Sequence, residues 1–228
     1  MILKGKLFVI DGTDCSGKET ACEKVYKMLE SEGNNVIKVT FPDYESASSS
    51  LVKMYLNGEF GEKPSDVSPY IASTFYAADR YASYKTKWHN FYNSGGIVVC
   101  DRYTTSNMIH QAAKIKDIDE KNKFLEWLWD FEFNIYRLPM PDEVIFLDMP
   151  VEYSSMLNKS RKNKITGQET KDIHEKDEQF IYDSYNNALF VANKYGWKTI
   201  RCVNDNGLKS FDSIHREIFE AIKNKLRY

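Results

Sequence analysis

A short glycine-framed loop near the start of the chain has the residue types needed to bind a phosphate group. Gly12, Gly17 and Lys18 lie within the stretch KLFVIDGTDCSGKET, residues 6–20. Their spacing fits the phosphate-loop pattern G-x-x-x-x-G-K, in which backbone N–H groups surround an anion and the lysine reaches the β- and γ-phosphates. The pattern ends in Ser or Thr, whereas this chain has Glu19 there. The hydroxyl that usually binds Mg²⁺ is therefore missing from its expected place.

The surroundings of this loop decide between a phosphate site and an ordinary turn with an incidental lysine. Gly12 directly follows the apolar run 7–10, and residues 16–33 carry a helix-periodic apolar stripe. In this order of strand, loop and helix, N–H groups at the helix N-terminus point at an anion, and the helix dipole favours negative charge. We therefore favour the phosphate site. The residues predicted to bind the nucleotide are Gly12, Cys15, Ser16, Gly17, Lys18, Glu19 and Thr20.

Five short apolar runs rich in β-branched residues predict the strands that position this loop. Each is too short for a helix, and the segments between them are long and often helix-periodic. The alternation predicts an α/β fold, with a five-stranded parallel sheet and helices on both faces. The runs are Leu7–Ile10, Val36–Phe41, Ile97–Cys100, Val144–Met149 and Thr199–Val203.

Polar clusters follow four of these runs. In open parallel sheets, ligands bind outside the carboxyl ends of the strands. We therefore expect the four clusters to meet at one edge of the sheet. They are residues 11–18, 41–44, 101–103 and 148–150.

Composition limits the class of protein. With 228 residues the chain has the length of a single α/β domain, 1–228. Its 31 basic and 33 acidic residues nearly cancel to a net charge of −2, so neither nucleic acid nor a membrane is expected as a partner. No apolar run approaches the roughly 20 residues of a membrane span. The four scattered cysteines lack metal-ligand spacing and indicate reduced thiols, so we expect a soluble cytoplasmic protein.

The sequence resembles the thymidylate kinases over nearly its whole length. Several of the shared motifs are individually weak, but the series is specific to that family. The resemblance implies a nucleoside monophosphate kinase that uses Mg²⁺ and transfers the γ-phosphoryl group of ATP to dTMP, giving dTDP and ADP. It also implies that the enzyme is a homodimer. The motifs are GTDCSGKET (12–20), FPDY (41–44), FYAADR (75–80), DRYTTSN (101–107), LPMPD (138–142), FLDMP (146–150) and DIHEKD (172–177).

The resemblance assigns the phosphate chemistry to a few charged residues. Arg102 corresponds to the arginine that binds the acceptor phosphate, and a guanidinium can grip a phosphate with two N–H groups. Asp14 corresponds to the family's loop acid, which lies by the acceptor sugar and the metal, and Asp101 corresponds to an acid near Mg²⁺ or the phosphates. The alternatives from the residues alone are a helix cap for Asp14 and a strand-end salt bridge for Asp101 and Arg102. With Lys18, these residues are the expected catalytic and metal-binding set.

Two pairs at i, i+4 spacing are expected to bind the base. Tyr76 and Arg80 project from one face of a predicted helix, and the resemblance implies that Tyr76 stacks on the pyrimidine while Arg80 donates to a carbonyl. Asn107 and Gln111 have the same spacing. Their amides suit the N3–H and O4 edge of thymine. Core packing is the alternative role for an aromatic residue such as Tyr76.

The chain departs from the family pattern near the acceptor. Many relatives carry an arginine in the turn that here contains Phe41, Asp43 and Tyr44. Phosphate contact through the Tyr44 hydroxyl and nearby backbone is expected instead. His110 stands where relatives often have an aromatic residue that crowds the 2′ position of the sugar, so we expect a preference for nucleotides with a deoxyribose.

The polar segment Lys159–His174 is either a solvated surface loop or a mobile lid, which we expect at about 159–173. Some thymidylate kinases place an arginine at the position of Cys15, and others supply cations from the lid. This chain resembles the second type. Arg161, Lys162 and Lys164 are then the candidate lid cations, with Arg161 preferred for its rigid fork.

Other functions stay open at this point. A kinase for another pyrimidine (deoxy)nucleotide or for a deoxynucleoside would share the loop and lid. Glu19 and Asp43 also suit a nucleotide-binding module that has lost catalysis. The aromatic helix FLEWLWDFEF, residues 124–133, is a candidate dimer surface, and burial in the core is its alternative role.

Overall fold

A computed structural model describes residues 4–158 and 172–227 of the chain. The sheet consists of β1 Lys6–Asp11, β2 Val36–Thr40, β3 Ile97–Asp101, β4 Glu143–Asp148 and β5 Lys198–Arg201. Their order is β2-β3-β1-β4-β5, and each neighbouring pair is parallel. The prediction of a five-stranded parallel α/β sheet is therefore confirmed.

Helices connect the strands and cover both faces of the sheet. The first half of the chain contributes α1 Lys18–Ser31, α2 Ser50–Leu56, α3 Pro69–Ser83, α4 His89–Asn93 and α5 Thr104–Ala113. The second half contributes α6 Ile118–Trp129, α7 Val151–Asn158, α8 Ile173–Lys176, α9 Glu178–Lys194 and α10 Phe211–Leu226. Short 3₁₀ turns at Ala47–Ser49 and Pro64–Asp66 and π-helical turns at Tyr84–Trp88 and Asp130–Ile135 complete the helical segments.

The prediction of the fifth strand, Thr199–Val203, was wrong at its C-terminal end. Its regular part stops at Arg201, and Val203 instead begins a small antiparallel ribbon of β6 Val203–Asn204 and β7 Gly207–Leu208. Gly207 has a φ of 101°, in the left-handed region that favours glycine. A turn, rather than a longer strand, therefore follows the sheet.

Successive side chains of each strand point to opposite faces of the sheet, and both faces are buried. Phe8 and Ile10 point toward α1 and α10 and pack with Leu29 and Ile218. On the opposite face, β1 and β3 pack against a layer of large aromatic side chains. That layer includes Trp88, Tyr92, Tyr103 and Phe133. Two apolar layers therefore hold the carboxyl ends of β1 and β3 side by side.

No helix within residues 4–158 and 172–227 is long and apolar enough to cross a membrane. The four cysteines are thiols, as the sequence predicts. Three of them are buried, and Cys15 is half-buried in the glycine loop.

Replacing Leu29 with alanine should test the packing of α1 on the sheet. Leu29 is fully buried, so Leu29→Ala is expected to lower the free energy of unfolding by about 2–5 kcal/mol through lost burial and a residual cavity. Urea unfolding followed by circular dichroism would measure it. The matched control is Leu51→Ala on α2, because Leu51 is 44% exposed. Equal losses in the two variants would contradict the packing described for α1.

Candidate active site

The glycine loop connects β1 to α1 and presents backbone N–H groups at the carboxyl edge of the sheet. Cys15 and Gly17 have φ values of 59° and 84°. Left-handed residues of this kind turn successive N–H groups toward a common concavity, which is a ready anion site. Gly12 is needed for packing, because a Cβ there would lie 2.7 Å from Ser16 Oγ and 3.0 Å from the Leu147 carbonyl oxygen. The loop can therefore close tightly under a phosphate.

Asp14 has a different role from the helix cap that the sequence allowed. The N-cap of α1 is Gly17, and no side chain accepts a hydrogen bond there. The Asp14 carboxylate instead contacts the guanidinium of Arg102. Burial by itself would raise the pKa of Asp14, but the positive charges of Arg102 and Lys18 outweigh it and hold the pKa well below its usual value. Asp14 is therefore an anion that joins the loop to β3.

Lys18 lies folded against the loop. Its Nζ donates to the Thr13 carbonyl oxygen at 2.9 Å and lies 3.9 Å from Asp14 Oδ1. Burial lowers the pKa of Lys18 to about 8, and the positive charge of Arg102 contributes to that shift. An incoming phosphate would add negative charge next to this ammonium and favour its charged form.

Arg102 follows β3 directly and faces the loop. Its φ is 66°, a left-handed value that is unusual for a residue with a side chain. Besides contacting Asp14, its guanidinium donates to Ser106 Oγ at 3.3 Å and lies 3.9 Å from Asp11 Oδ1. Arg102 therefore forms ion pairs with Asp14 and Asp11, across the sheet edge. Backbone strain is often stored where a functional side chain must be aimed.

His110 is the fourth partner of Arg102. Its Nε2 lies 3.2 Å from Arg102 Nη1, which can only donate, so Nε2 is the acceptor and the proton is on Nδ1. Burial lowers the pKa of His110 to about 4. Nδ1 is buried and has no hydrogen-bond partner within the described ranges. His110 is thus a neutral ring that supports Arg102 and offers one N–H donor.

Two adjoining cavities open at this edge of the sheet. The larger has a volume of about 340 Å³ and contains the glycine loop and Asp101. The smaller has a volume of about 70 Å³ and lies between α3 and α5. The cavities share the walls formed by Asp14, Phe41, Pro42, Tyr44, Arg102 and Asp172. Two ligands bound in them would meet at the Asp14–Arg102 contact.

The structure brings together most of the residues predicted from the sequence. The larger cavity is lined by Asp14, Cys15, Gly17, Lys18, Glu19, Thr20, Phe41, Tyr44, Asp101 and Arg102. The smaller is lined by Asp14, Phe41, Tyr44, Tyr76, Arg80, Arg102, Asn107, His110 and Gln111. Gly12 and Ser16 are buried in the loop. The predicted lid cations Arg161, Lys162 and Lys164, and lid residues 159–171, lie outside the described residues.

Several cavity residues were missed by the sequence analysis. Asp172 lines both cavities, and His174 lines the smaller one. Burial raises the pKa of Asp172 to about 7, and the negative charge of Asp14 adds to the shift. Both residues belong to the DIHEKD segment, which carries the family resemblance by its place in the chain and has no residue type that by itself indicates a role. Glu175, Phe211 and Ser106 also line the cavities.

The acidic residues suit a Mg²⁺ ion that arrives with a nucleotide. Asp14 and Asp101 line the larger cavity, which also contains Lys18. Magnesium commonly binds one or two carboxylates together with substrate phosphates and water. Within residues 4–158 and 172–227, no group of three or more His, Cys, Asp or Glu side chains could hold a metal ion by itself. The donor set therefore fits a metal held jointly by protein and phosphate.

A buried chain of hydrogen bonds supports the wall behind the smaller cavity. Lys114 Nζ donates to the Tyr55 hydroxyl at 2.9 Å and to the Val67 carbonyl oxygen at 3.1 Å. The Tyr55 hydroxyl lies 2.8 Å from His174 Nε2. Both partners of the ammonium are neutral groups, and burial lowers the pKa of Lys114 to about 7.

Comparison with known proteins relates this site to one family. The family model described as thymidylate kinase matches residues 10–206. A thymidylate kinase from Mycobacterium tuberculosis is 29% identical over 172 residues, which cover 75% of this chain and 78% of the relative. A probable thymidylate kinase from Pyrococcus horikoshii is 27% identical over 224 residues and 98% of both chains.

A solved structure has the same fold. The structure of thymidylate kinase from Candida albicans superposes with a TM-score of 0.70 at 24% identity. The superposition covers 97% of this chain and 92% of the other. The similarity therefore extends over nearly all of both folds.

Replacing Lys114 with methionine tests the buried ammonium. Its folded-state pKa of about 7 lies below the ordinary lysine value of 10.5. The unfolded chain therefore binds more protons between these values, and the cost of burying the charge falls as pH rises. We expect the unfolding free energy of the wild type to rise relative to Lys114→Met between about pH 7 and pH 9, by at most about 1.4 kcal/mol per pH unit. Urea titrations of both proteins across this range would measure the difference.

The same substitution at Lys24, an exposed residue of α1, provides the baseline for this experiment. Lys24→Met removes a lysine without removing a buried ammonium. A difference between the wild type and Lys114→Met that stays constant with pH would contradict the buried charge.

Proposed function

The chain belongs to the thymidylate kinase family, and on that premise we propose that it transfers the γ-phosphoryl group of ATP to dTMP, giving dTDP and ADP. The observation that carries the proposal is the pair of adjoining cavities with Asp14 and Arg102 in their common wall. A donor nucleotide in the larger cavity and an acceptor in the smaller one would place their phosphates on either side of that contact. Such placement is most of what phosphoryl transfer requires.

The glycine loop is the proposed site of the donor phosphates. The N–H groups between Gly12 and Lys18 bind the phosphate oxygens, with Cys15, Ser16, Gly17, Glu19 and Thr20 forming the rest of the loop and the first turn of α1. Lys18 exchanges the neutral Thr13 carbonyl for a charged phosphate oxygen. Because the ammonium is already buried, little water has to be removed when the phosphate binds.

Arg102 is proposed to hold the acceptor phosphate. Its charge is retained, because Asp14 and Asp11 outweigh the effect of burial and raise its pKa. The acceptor oxygen is already anionic, so the protein need not remove a proton from the nucleophile. Its task is to align the two phosphates and to neutralise the charge of the transferring group. Arg161, in the segment outside the described residues, remains our candidate for a further cation.

The proposed Mg²⁺ ligands are Asp14 and Asp101. When bound with ATP, the ion would neutralise part of the charge on the β- and γ-phosphates. The carboxylate of Asp14 is shared with Arg102, so the metal and the guanidinium would be held next to each other. Glu19, in the place of the usual Ser or Thr, lines the same cavity.

The smaller cavity is the proposed site of the thymine and sugar. Tyr76 forms its aromatic wall, Arg80 offers donors to a base carbonyl, and Asn107 and Gln111 face it from α5. The Gln111 Oε1 atom is buried and has no hydrogen-bond partner among the described residues, so it is an available acceptor for the N3–H of thymine. Phe41, Tyr44 and His110 close the cavity near the sugar and phosphate.

A module without catalysis is the second candidate, and the position of Asp43 argues against it. The Asp43 carboxylate contacts Lys87, and its backbone N–H donates to Asp79 Oδ2 at 2.8 Å. Asp43 therefore does not place a negative charge against the acceptor phosphate. The cations Lys18 and Arg102 both line the larger cavity. This favours an active kinase.

We also propose that the enzyme is a cytoplasmic homodimer. Thiol cysteines are typical of reducing compartments. Large apolar side chains remain exposed on α6 and the turn that follows, with Ile118 50%, Trp129 37% and Ile135 63% exposed. Within residues 124–133, Phe124, Leu125, Leu128, Glu132 and Phe133 are buried, and Trp127 and Phe131 are half-buried. Light scattering that gave the mass of one chain would contradict the dimer.

Removing either central cation should abolish most of the activity. Lys18→Ala and Arg102→Ala are each expected to lower kcat/KM for phosphoryl transfer by a factor on the order of 10² or more, the scale at which oriented charge-stabilising groups act. A coupled assay for ADP would measure the loss, and circular dichroism would verify folding. Lys24→Ala, at an exposed lysine of α1, is the control. Near-normal kcat/KM in a folded Lys18 or Arg102 variant would remove that residue from the mechanism.

A panel of acceptors tests the substrate. With ATP and Mg²⁺, dTMP is expected to be phosphorylated with a higher kcat/KM than dUMP, dCMP, UMP or thymidine. Product formation measured by chromatography would rank them. Preference for another member of the panel would assign a different pyrimidine kinase, and tight ATP binding without any product would favour the module without catalysis.

A further inference from the structure

A single carboxylate lies on the buried side of the aromatic helical segment. Glu132 is 0% exposed, in the π-helical turn Asp130–Ile135 that continues α6. It stands four residues after Leu128 and eight after Phe124, both of which are fully buried. An apolar residue would be expected at such a position.

Both oxygens of Glu132 are engaged by donors from two other helices. Oε2 accepts from Arg80 Nε and from Thr104 Oγ1, each at 2.7 Å. Oε1 contacts Arg80 Nη2. The carboxylate therefore binds one edge of the guanidinium through two parallel hydrogen bonds. This geometry fixes the plane as well as the position of the guanidinium.

The hydrogen bonds to Glu132 determine which N–H groups of Arg80 remain for a ligand. The third nitrogen, Nη1, donates to the Tyr103 carbonyl oxygen at 3.4 Å. A guanidinium has five N–H groups and no acceptor. The remaining N–H groups belong to the terminal nitrogens, and Arg80 lines the smaller cavity. Arg80 can therefore offer the cavity donors of fixed direction, which would match the O4 carbonyl of thymine and oppose the N4 amino group of cytosine.

Glu132 also joins the two helices that form this cavity. Arg80 lies on α3, and Thr104 is the first residue of α5, which carries Asn107 and Gln111. The bond to Thr104 fixes the start of α5 relative to Arg80. The donors of α3 and the amides of α5 are thereby held in one arrangement.

Stability alone gives little reason for this pair. Replacing a buried ion pair with apolar residues of similar volume is often neutral or stabilising, because both charges lose their hydration. Arg80 and Glu132 side chains are 2% and 0% exposed. A requirement for a fixed guanidinium explains why a charge is kept on an otherwise apolar stripe.

We propose that Glu132 is a positioning residue that fixes the orientation of the Arg80 guanidinium. Through Arg80 it would set the preference for a base that presents a carbonyl to this guanidinium. The inference rests on the proposed function, because it assumes that the smaller cavity binds the pyrimidine. Glu132 does not itself line the cavity. Its effect is exerted through Arg80.

The variant Glu132→Gln tests this role with little change in shape. One carboxylate oxygen becomes an NH₂ group, which cannot accept from the guanidinium, so Arg80 loses one side of its grip. We expect KM for dTMP to rise about tenfold, the scale of one hydrogen bond to a charged group. KM for ATP should stay within about twofold. The ratio of kcat/KM for dTMP to that for dCMP should fall about tenfold, because dCMP does not use the fixed donors.

Two further sets of variants separate positioning from folding. Glu126→Gln makes the same substitution at an exposed residue of α6 and should change none of these constants. In the Arg80→Met background, adding Glu132→Gln should leave KM for dTMP unchanged, because the residue through which it acts is gone. If Glu132→Gln does not fold, Thr104→Val loosens the same carboxylate, and a threefold or larger rise in KM for dTMP is expected.

The outcomes are distinguishable. Unchanged selectivity between dTMP and dCMP in a folded Glu132→Gln protein, or an equal rise in KM with and without Arg80, would overturn the positioning role. A wild-type protein that does not phosphorylate dTMP would instead overturn the proposed function.

Discussion

The contact between the Asp14 carboxylate and the Arg102 guanidinium is the interaction on which the site depends. β1 and β3 are adjacent and parallel, so the loop after one strand and the residue after the other meet at the same edge of the sheet. The contact lies in the wall common to both cavities. It also places a negative charge between Arg102 and the buried ammonium of Lys18, which would otherwise repel each other at close range.

The site therefore holds its charges before any ligand binds. Burial lowers the pKa of Lys18 to about 8 and that of His110 to about 4, and it raises the pKa of Asp172 to about 7. All three shifts reflect lost hydration, and a polyanionic nucleotide would restore a favourable interaction to the Lys18 ammonium. The dehydrated state has a cost in stability, and it provides a fixed electrostatic environment for charge that develops during transfer.

Polar groups buried behind the cavities fix their walls in a similar way. Glu132 joins Arg80 to Thr104, and Tyr55 joins Lys114 to His174. Each set joins separate helices that surround the smaller cavity. With apolar packing alone, small shifts between these helices would cost little free energy. Directional hydrogen bonds, in contrast, favour one arrangement of the helices. The cavity for the base is therefore shaped by buried polar contacts as much as by its apolar lining.

The sequence by itself determined the five parallel strands, the helix after the glycine loop and the edge of the sheet where the polar clusters meet, because periodicity and glycine spacing are local properties. It also identified most residues that line the cavities. Only the tertiary structure decided that Asp14 pairs with Arg102, that Glu132 grips Arg80 and that His174 meets Tyr55. These partners are 88, 52 and 119 residues apart in the chain. Contacts between such distant residues depend on how whole helices and strands pack, which no local pattern of residue types encodes.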